Sequence, residues 1–290
     1  MTSVQNSRVW LITGSSSGFG RAIAQAVLDR GEKVVVTARN PQHVEDIQTK
    51  YPDRALAVQL DVTQPAQVKA AVETAIAKFG RIDVLVNNAG YGTMGALEEL
   101  SDEATRRQFE TNVFGALNMM RAVLPSMRQH RSGYILNLSS VGGFVSFPGA
   151  GIYCATKFAL EALSEALVKE VESLGIKIII VEPGAFRTDF NGRSLVLADT
   201  QIADYEPIVG GLRQWLQDMD GKQPGDPVKA AEAMIQAVNS DNPPLRLALG
   251  ADAVDAIETK LESVKAEMEA WKDVAVNTAY EGAAVGAIGG

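Results

Sequence analysis

The chain has 290 residues, 46% of them hydrophobic and 21% charged, with a net charge of −8 and no basic cluster longer than two residues. That composition suits a globular protein able to bury a core without staples, and it argues against nucleic acid or an anionic membrane surface as a partner. One cysteine, Cys154, excludes an internal disulfide, and two histidines, His43 and His130, argue against metal ligation. The opening "MTSVQNSRVWLITG" has no long apolar run behind a basic start, and no stretch reaches the ~18 apolar residues of a membrane span. No signal peptide and no membrane span are expected, and the expected location is cytoplasmic.

Short β-branched runs alternate with helical patterns along the chain: "RVWLIT" (8–13), "KVVVTA" (33–38), "ALAVQL" (55–60), "IDVLVN" (82–87), "GYILNL" (133–138) and "IKIIIV" (176–181). The runs are nearly continuous in apolar residues, as parallel strands covered on both faces require. Segments 18–30, 65–79 and 101–129 between them carry apolar residues at helical spacing. Residues 184–225 break the rhythm with glycines, prolines and scattered apolar residues, and read as a long excursion or lid. Residues 226–239 read as a helix, "RLAL" (246–249) as one more strand, and 251–272 as an amphipathic helix rich in Glu and Lys. The Gly-rich residues 273–290 are expected to form a flexible tail. Repeated βα units predict an α/β fold, a Rossmann-type doubly wound parallel sheet of about seven strands with helices on both faces. One domain is expected over 1–272.

Between the first run and its helix lies "TGSSSGFG" (13–20), with Gly14, Gly18 and Gly20 around Ser16, Ser17 and Phe19. Glycines at a strand-to-helix turn let the backbone approach a pyrophosphate, and the helix N-terminus attracts its charge. The second run ends in "TARN" (37–40). An acid there would bind the ribose 2′-hydroxyl of NAD; Ala38 and Arg39 stand instead, and an arginine suits a 2′-phosphate. NADP(H) is therefore favoured, with NAD(H) possible.

Further groups gather at the carboxyl ends of the later runs, where such sheets bind ligands. They are Asn87, Asn88, Ala89 and Gly90 after the fourth, Ser139 and Ser140 after the fifth, and Pro183 and Gly184 after the sixth. Asn112 lies inside a helical run, where asparagine is unfavourable unless it bonds something. In "YCATK", Tyr153 and Lys157 stand four residues apart on one helical face. A fixed positive charge there would pull the phenol pKa down and make a tuned acid/base.

In this order the motifs resemble the short-chain dehydrogenase/reductase family over roughly residues 8–250. The family's T-G-x-x-x-G-x-G stands at 13–20, N-N-A-G at 87–90, Y-x-x-x-K at 153–157, and P-G with a following Thr at 183–188; Phe19 stands where Ile is frequent. A serine thirteen positions before the tyrosine selects Ser140 over Ser139. The resemblance implies that Tyr153 is the general acid/base, that Lys157 lowers its pKa and binds the nicotinamide ribose, and that Ser140 steadies the substrate oxygen. It also implies that Asn112 holds a relay water and that Thr188 grips the carboxamide, with Pro183, Gly184 and Phe186 in the same turn. Asp61, with Val62, would read the adenine; a helix-start acid is the alternative reading of Asp61.

The apolar stretch 142–152, with Phe144, and Met94 and Phe190 suit a hydrophobic ketone, aldehyde or alcohol as substrate. Arg187 and Arg193 keep a phosphorylated or carrier-linked substrate open. The long lid and C-terminal extension resemble the family's steroid and retinoid dehydrogenases. Small residues Ala155, Ala159, Ala162 and Ala166 recur on the Tyr153 helix, which in the family often forms a subunit interface, so a homodimer or homotetramer is expected; core packing would give the same pattern. Two other functions fit the fold: a non-enzymatic NAD(P) sensor, and an isomerase or lyase. The complete set Asn112, Ser140, Tyr153 and Lys157 favours the oxidoreductase.

Overall fold

Alternate residues of each central strand turn to opposite faces of one sheet and bury there. In the computed structural model, which describes residues 7–283 and 286, Trp10 and Ile12 enter one apolar layer while Leu11 between them enters the other. The strands are β1 (Val9–Ile12), β2 (Lys33–Ala38), β3 (Ala55–Gln59), β4 (Val84–Asn87), β5 (Gly92–Met94), β6 (Gly133–Leu138), β7 (Ile176–Pro183), β8 (Leu195–Leu197) and β9 (Arg246–Leu249). The helices are α1 (Gly18–Asp29), α2 (Glu45–Lys50), α3 (Pro65–Phe79), α4 (Asp102–Phe109), α5 (Ala116–His130), α6 (Gly151–Val171), α7 (Gly211–Asp218), α8 (Pro227–Asn239) and α9 (Ala251–Val276). Seven strands form a parallel sheet in the order β3-β2-β1-β4-β6-β7-β9. Helices α1 and α8 cover one face, through Ile23, Val27, Met234 and Val238; α3 and α5 cover the other, through Val68, Val72, Met119 and Val123. Each such side chain, fully buried, contributes roughly 1.5–3 kcal/mol. This is the expected Rossmann-type α/β fold.

Local signals set the helix starts. Asp226 accepts from Val228 N at 2.8 Å ahead of Pro227, and Ser101 accepts from Ala104 N at 3.1 Å ahead of Asp102 and Glu103. Both arrangements satisfy a free N–H, and the acids complement the helix dipole. Strand order reverses between β1 and β4, which opens a crevice at their carboxyl ends.

Three features go beyond the sequence reading. The segment 101–129 is no single α-helix: a π-helical turn, Glu110–Gly115, separates α4 from α5. The excursion 184–225 carries ordered structure, with β8 pairing β5 in a small parallel sheet and α7 following. The C-terminal helix, read from the sequence over 251–272, runs on to Val276. Residues 1–6, 284, 285 and 287–290, on which the leader and tail expectations fall in part, lie outside the described residues. Among the described residues no helix is long and apolar enough to cross a membrane.

Candidate active site

The glycine turn is built by contacts a side chain would destroy. Gly14 and Gly18 adopt φ of +66° and +53°, and a Cβ on Gly20 would stand 2.4 Å from the Gly14 carbonyl. Ser15 N donates to Thr37 O at 2.8 Å, which lays the turn against the end of β2, next to Ala38 and Arg39. Asn88 locks it from the other side, its Nδ2 donating to Thr13 O and Gly14 O, both at 2.9 Å. Thr13 Oγ1 in turn accepts from the backbone N of Asn88 and Ala89, both at 2.9 Å. Ser17, extended ahead of α1, makes no side-chain capping bond. The first N–H groups of α1 are thus left for an anion, with Ser16 beside them.

The reacting groups share one wall of a cleft of about 500 Å³. Lys157, in α6, is buried and its Nζ donates to Leu138 O at 2.7 Å, tying the helix to the end of β6. That Nζ lies 5.7 Å from the centre of the Tyr153 ring. Ser140 Oγ accepts from Gly142 N at 2.9 Å, a turn that aims the residue beside the phenol. Asn112, buried in the π-helical turn, accepts from Tyr91 N at 3.1 Å and donates to Tyr91 O at 2.9 Å and Thr156 Oγ1 at 3.1 Å. An extra residue in a helical turn re-aims a side chain in this way.

Burial decides the proton affinities. It pushes the Tyr153 phenol up to about 12, against a hydrogen bond with Ser140 that pulls it down. It pushes Lys157 down to about 8, while the Glu161 carboxylate works the other way. The expected lowering of the Tyr153 pKa by Lys157 is not seen: desolvation dominates, only the Ser140 hydrogen bond opposes it, and the Lys157 ammonium is turned to Leu138 O.

Phe19, Asn88, Gly90, Met94, Ser140, Tyr153, Lys157, Pro183, Gly184, Phe186, Thr188 and Phe190 all line this cleft. Phe144 does not; it packs under Arg246, whose guanidinium lies 5.1 Å from the ring centre, and this corrects its reading as a substrate contact. Asp61 is engaged locally, accepting from Thr63 N at 3.0 Å and Thr63 Oγ1 at 2.7 Å ahead of α3, and Val62 is buried against Gly115. Arg39 is exposed. The sequence reading missed Tyr91, Leu212, Gln223 and Asp252 in the cleft wall, while Phe147 falls in the apolar stretch 142–152 it named. No local pattern marks them: Leu212 comes from α7, Asp252 from α9, Tyr91 from the residue before β5 and Gln223 from the loop after α7.

The pattern of the short chain dehydrogenase family matches residues 8–195. The chain belongs to the short-chain dehydrogenase/reductase family. An oxidoreductase of Botryotinia fuckeliana, BOA17, is 39% identical over 94% of the chain and 99% of its own length. A 3-ketodihydrosphingosine reductase of Bacteroides thetaiotaomicron is 40% identical over 84% of the chain and 88% of its own length. The crystal structure of a short-chain dehydrogenase from Streptomyces avermitilis superposes with a TM-score of 0.89 at 47% identity, covering 95% of this chain and 99% of that one. Other similar structures carry NADH, in a 3-ketoacyl-(acyl-carrier-protein) reductase from Brucella melitensis (30% identical, TM-score 0.70), or 5-hydroxy-NADP, in an alcohol dehydrogenase from Thermococcus sibiricus (27%, 0.70). The chain is accordingly an NAD(P)-dependent oxidoreductase of the CH–OH/C=O couple.

Proposed function

We propose that the chain is a cytoplasmic NADP(H)-dependent reductase of a hydrophobic ketone or aldehyde. The observation that carries this reading is the meeting of Ser140, Tyr153 and Lys157 in one apolar cleft, with the open N-terminus of α1 beside it. The cradle fits a dinucleotide. Gly14 to Gly20 would hold the pyrophosphate, Arg39 the 2′-phosphate, Asp61 and Val62 the adenine, and Asn88 to Gly90 the adjoining ribose. Lys157 and Tyr153 would hold the second ribose, and Pro183, Gly184, Phe186 and Thr188 the nicotinamide. When bound, the nicotinamide supplies the hydride.

In this reading Ser140 donates a hydrogen bond to the substrate oxygen and Tyr153 protonates it, while Lys157 places positive charge behind the phenol. A phenol with a pKa of about 12 keeps its proton at neutral pH, which suits an acid and so the reducing direction. Met94, Phe190, Leu212, Trp215 and Leu216 give the wall an apolar character that supports a long or bulky hydrophobic carbonyl. The ketone named in the Bacteroides relative belongs to the same chemical class. Assembly as a homodimer or homotetramer would use α6, on which Phe158 is 44% exposed.

Titration with NADPH and NADH, followed by fluorescence, tests the cofactor. NADPH is expected to bind more tightly, and Arg39→Ala to weaken NADPH by about tenfold while leaving NADH unchanged, as loss of a charged phosphate contact does. Equal loss for both cofactors would make Arg39 a general surface charge. The reaction itself has a pH signature. Below about 8 Lys157 is an ammonium and above it is neutral, whereas the phenol keeps its proton to about 12. The kcat/KM for carbonyl reduction should be flat below that first value and fall as pH rises through it. A rate that climbs there would assign Tyr153 a role as base.

A further inference from the structure

Helix α9 leaves the domain after its first turns. Ala253 is buried and Ala256 and Ile257 are half-buried, yet every residue from Glu258 to Val276 is exposed. A helix without tertiary contacts is marginal in water, and one that shows water an apolar stripe calls for a partner. The stripe here is regular. Val254, Ile257, Leu261, Val264, Met268, Trp271 and Ala275 follow one another at alternating steps of three and four, the seam of a two-helix coiled coil. Leu261, Met268 and Trp271 are 53%, 69% and 67% exposed, and from Val254 to Trp271 the seam is about 26 Å long.

We propose that this seam docks on the same seam of a second copy of the chain, the two helices running antiparallel. The flanking charges choose both the occupant and the direction. Stacking Leu261 on Val264 of the second copy also brings Ile257 to Met268 and Val254 to Trp271. Glu258 then faces Lys265 of the second copy and Lys260 faces Glu267, and the twofold axis repeats both pairs. All are of opposite sign. A parallel pair in register would instead set Lys260 against Lys265 of the second copy, cancelling the attraction of Glu267 for Lys272. An anionic lipid surface is disfavoured, because α9 carries seven carboxylates against three lysines. The interface reaches the cleft. Trp271 of the second copy comes level with Val254, which lies between Asp252 and Ala256 in the cleft wall. This face is separate from α6, and its test is independent of turnover.

The full chain and the variant Leu261→Glu/Met268→Glu would be compared by sedimentation equilibrium. Both positions are exposed in the single chain, so the fold is retained. The native chain is expected at twice the mass of the variant, and equal masses would overturn the proposal, as would equal masses with uptake onto lipid vesicles by the native chain alone. Direction has two readouts. Lys260→Glu should weaken association by about tenfold and Lys260→Glu/Glu267→Lys should restore it; tighter association of the single variant would mean a parallel pair. Mixing Val254→Cys chains with Trp271→Cys chains should give a disulfide-linked dimer in the mixture only. A dimer from Val254→Cys alone would overturn the antiparallel arrangement.

Discussion

Tyr153→Phe is expected to lower kcat for carbonyl reduction by about 10³-fold while NADPH binding stays within about twofold, because a positioned general acid contributes on that scale. The substitution removes one oxygen. The ring keeps its place against Phe190, 5.6 Å away between ring centres, and Lys157 keeps its bond to Leu138 O. Nothing that holds the glycine turn touches residue 153, and Lys157 remains to hold the second ribose, so the variant keeps most of the proposed cofactor contacts. The substrate oxygen would still accept from Ser140, leaving some residual rate. Single-turnover reduction with NADPH, alongside a fluorescence titration, separates the two quantities. Turnover within a few fold of the native enzyme would remove Tyr153 from the mechanism and leave Ser140 or solvent as the proton source. Loss of NADPH binding to the same degree as turnover would make the residue a cofactor anchor instead.

How much of this was legible beforehand follows from the range of the interactions. The strands of the central sheet and the turn at 13–20 are local: apolar runs and glycines announce themselves within a few residues. Strands β5 and β8 are three residues each and pair across about a hundred positions, so neither run carries a period. The π-helical turn at Glu110–Gly115 differs from a regular helix by an added residue per turn, which the apolar spacing of 101–129 does not register; only Asn112 hinted at it. Chemistry was read less well than position. Tyr153 and Lys157 were visible as a phenol and an ammonium on one helical face, but their proton affinities depend on burial, which is a property of the assembled cleft. Thr13 was visible as a motif letter, though its grip on the backbone of Asn88 and Ala89 was not.

The same distance dependence hid the cluster on which the second large effect rests. Arg246→Met is expected to cost about 3–5 kcal/mol of folding stability near neutral pH, as removing one partner of a buried ionic network does. Arg246 donates to Glu161 and to Glu165, both at 2.6 Å, and also to Glu182. Glu161 and Glu182 are almost wholly buried, 5% and 2% exposed in their side chains, so a methionine would leave two buried carboxylates without their ion-pair partner. Burial works against the charge of Arg246, yet its hydrogen bonds to Glu161 and Glu165 hold its pKa above the usual arginine value. Burial and the charge of Glu161 already raise Glu182 above its ordinary value of 4.5, with Arg246 pulling it down. Without the guanidinium that rise grows. The folded variant then binds protons at pH values where the unfolded chain has released them, so its stability falls as pH rises through that window and recovers on acidification toward about pH 5. Urea unfolding of native and variant protein at two pH values measures the gap, which should narrow on the acid side. A gap independent of pH would mean that lost packing over Phe144, rather than stranded charge, sets the cost. The cluster also reaches the reacting groups, since Glu161 accepts from Ser139 Oγ at 2.5 Å, one residue before Ser140. Arg246→Lys retains a charge but not the fork that spans three carboxylates, and should recover only part of the stability.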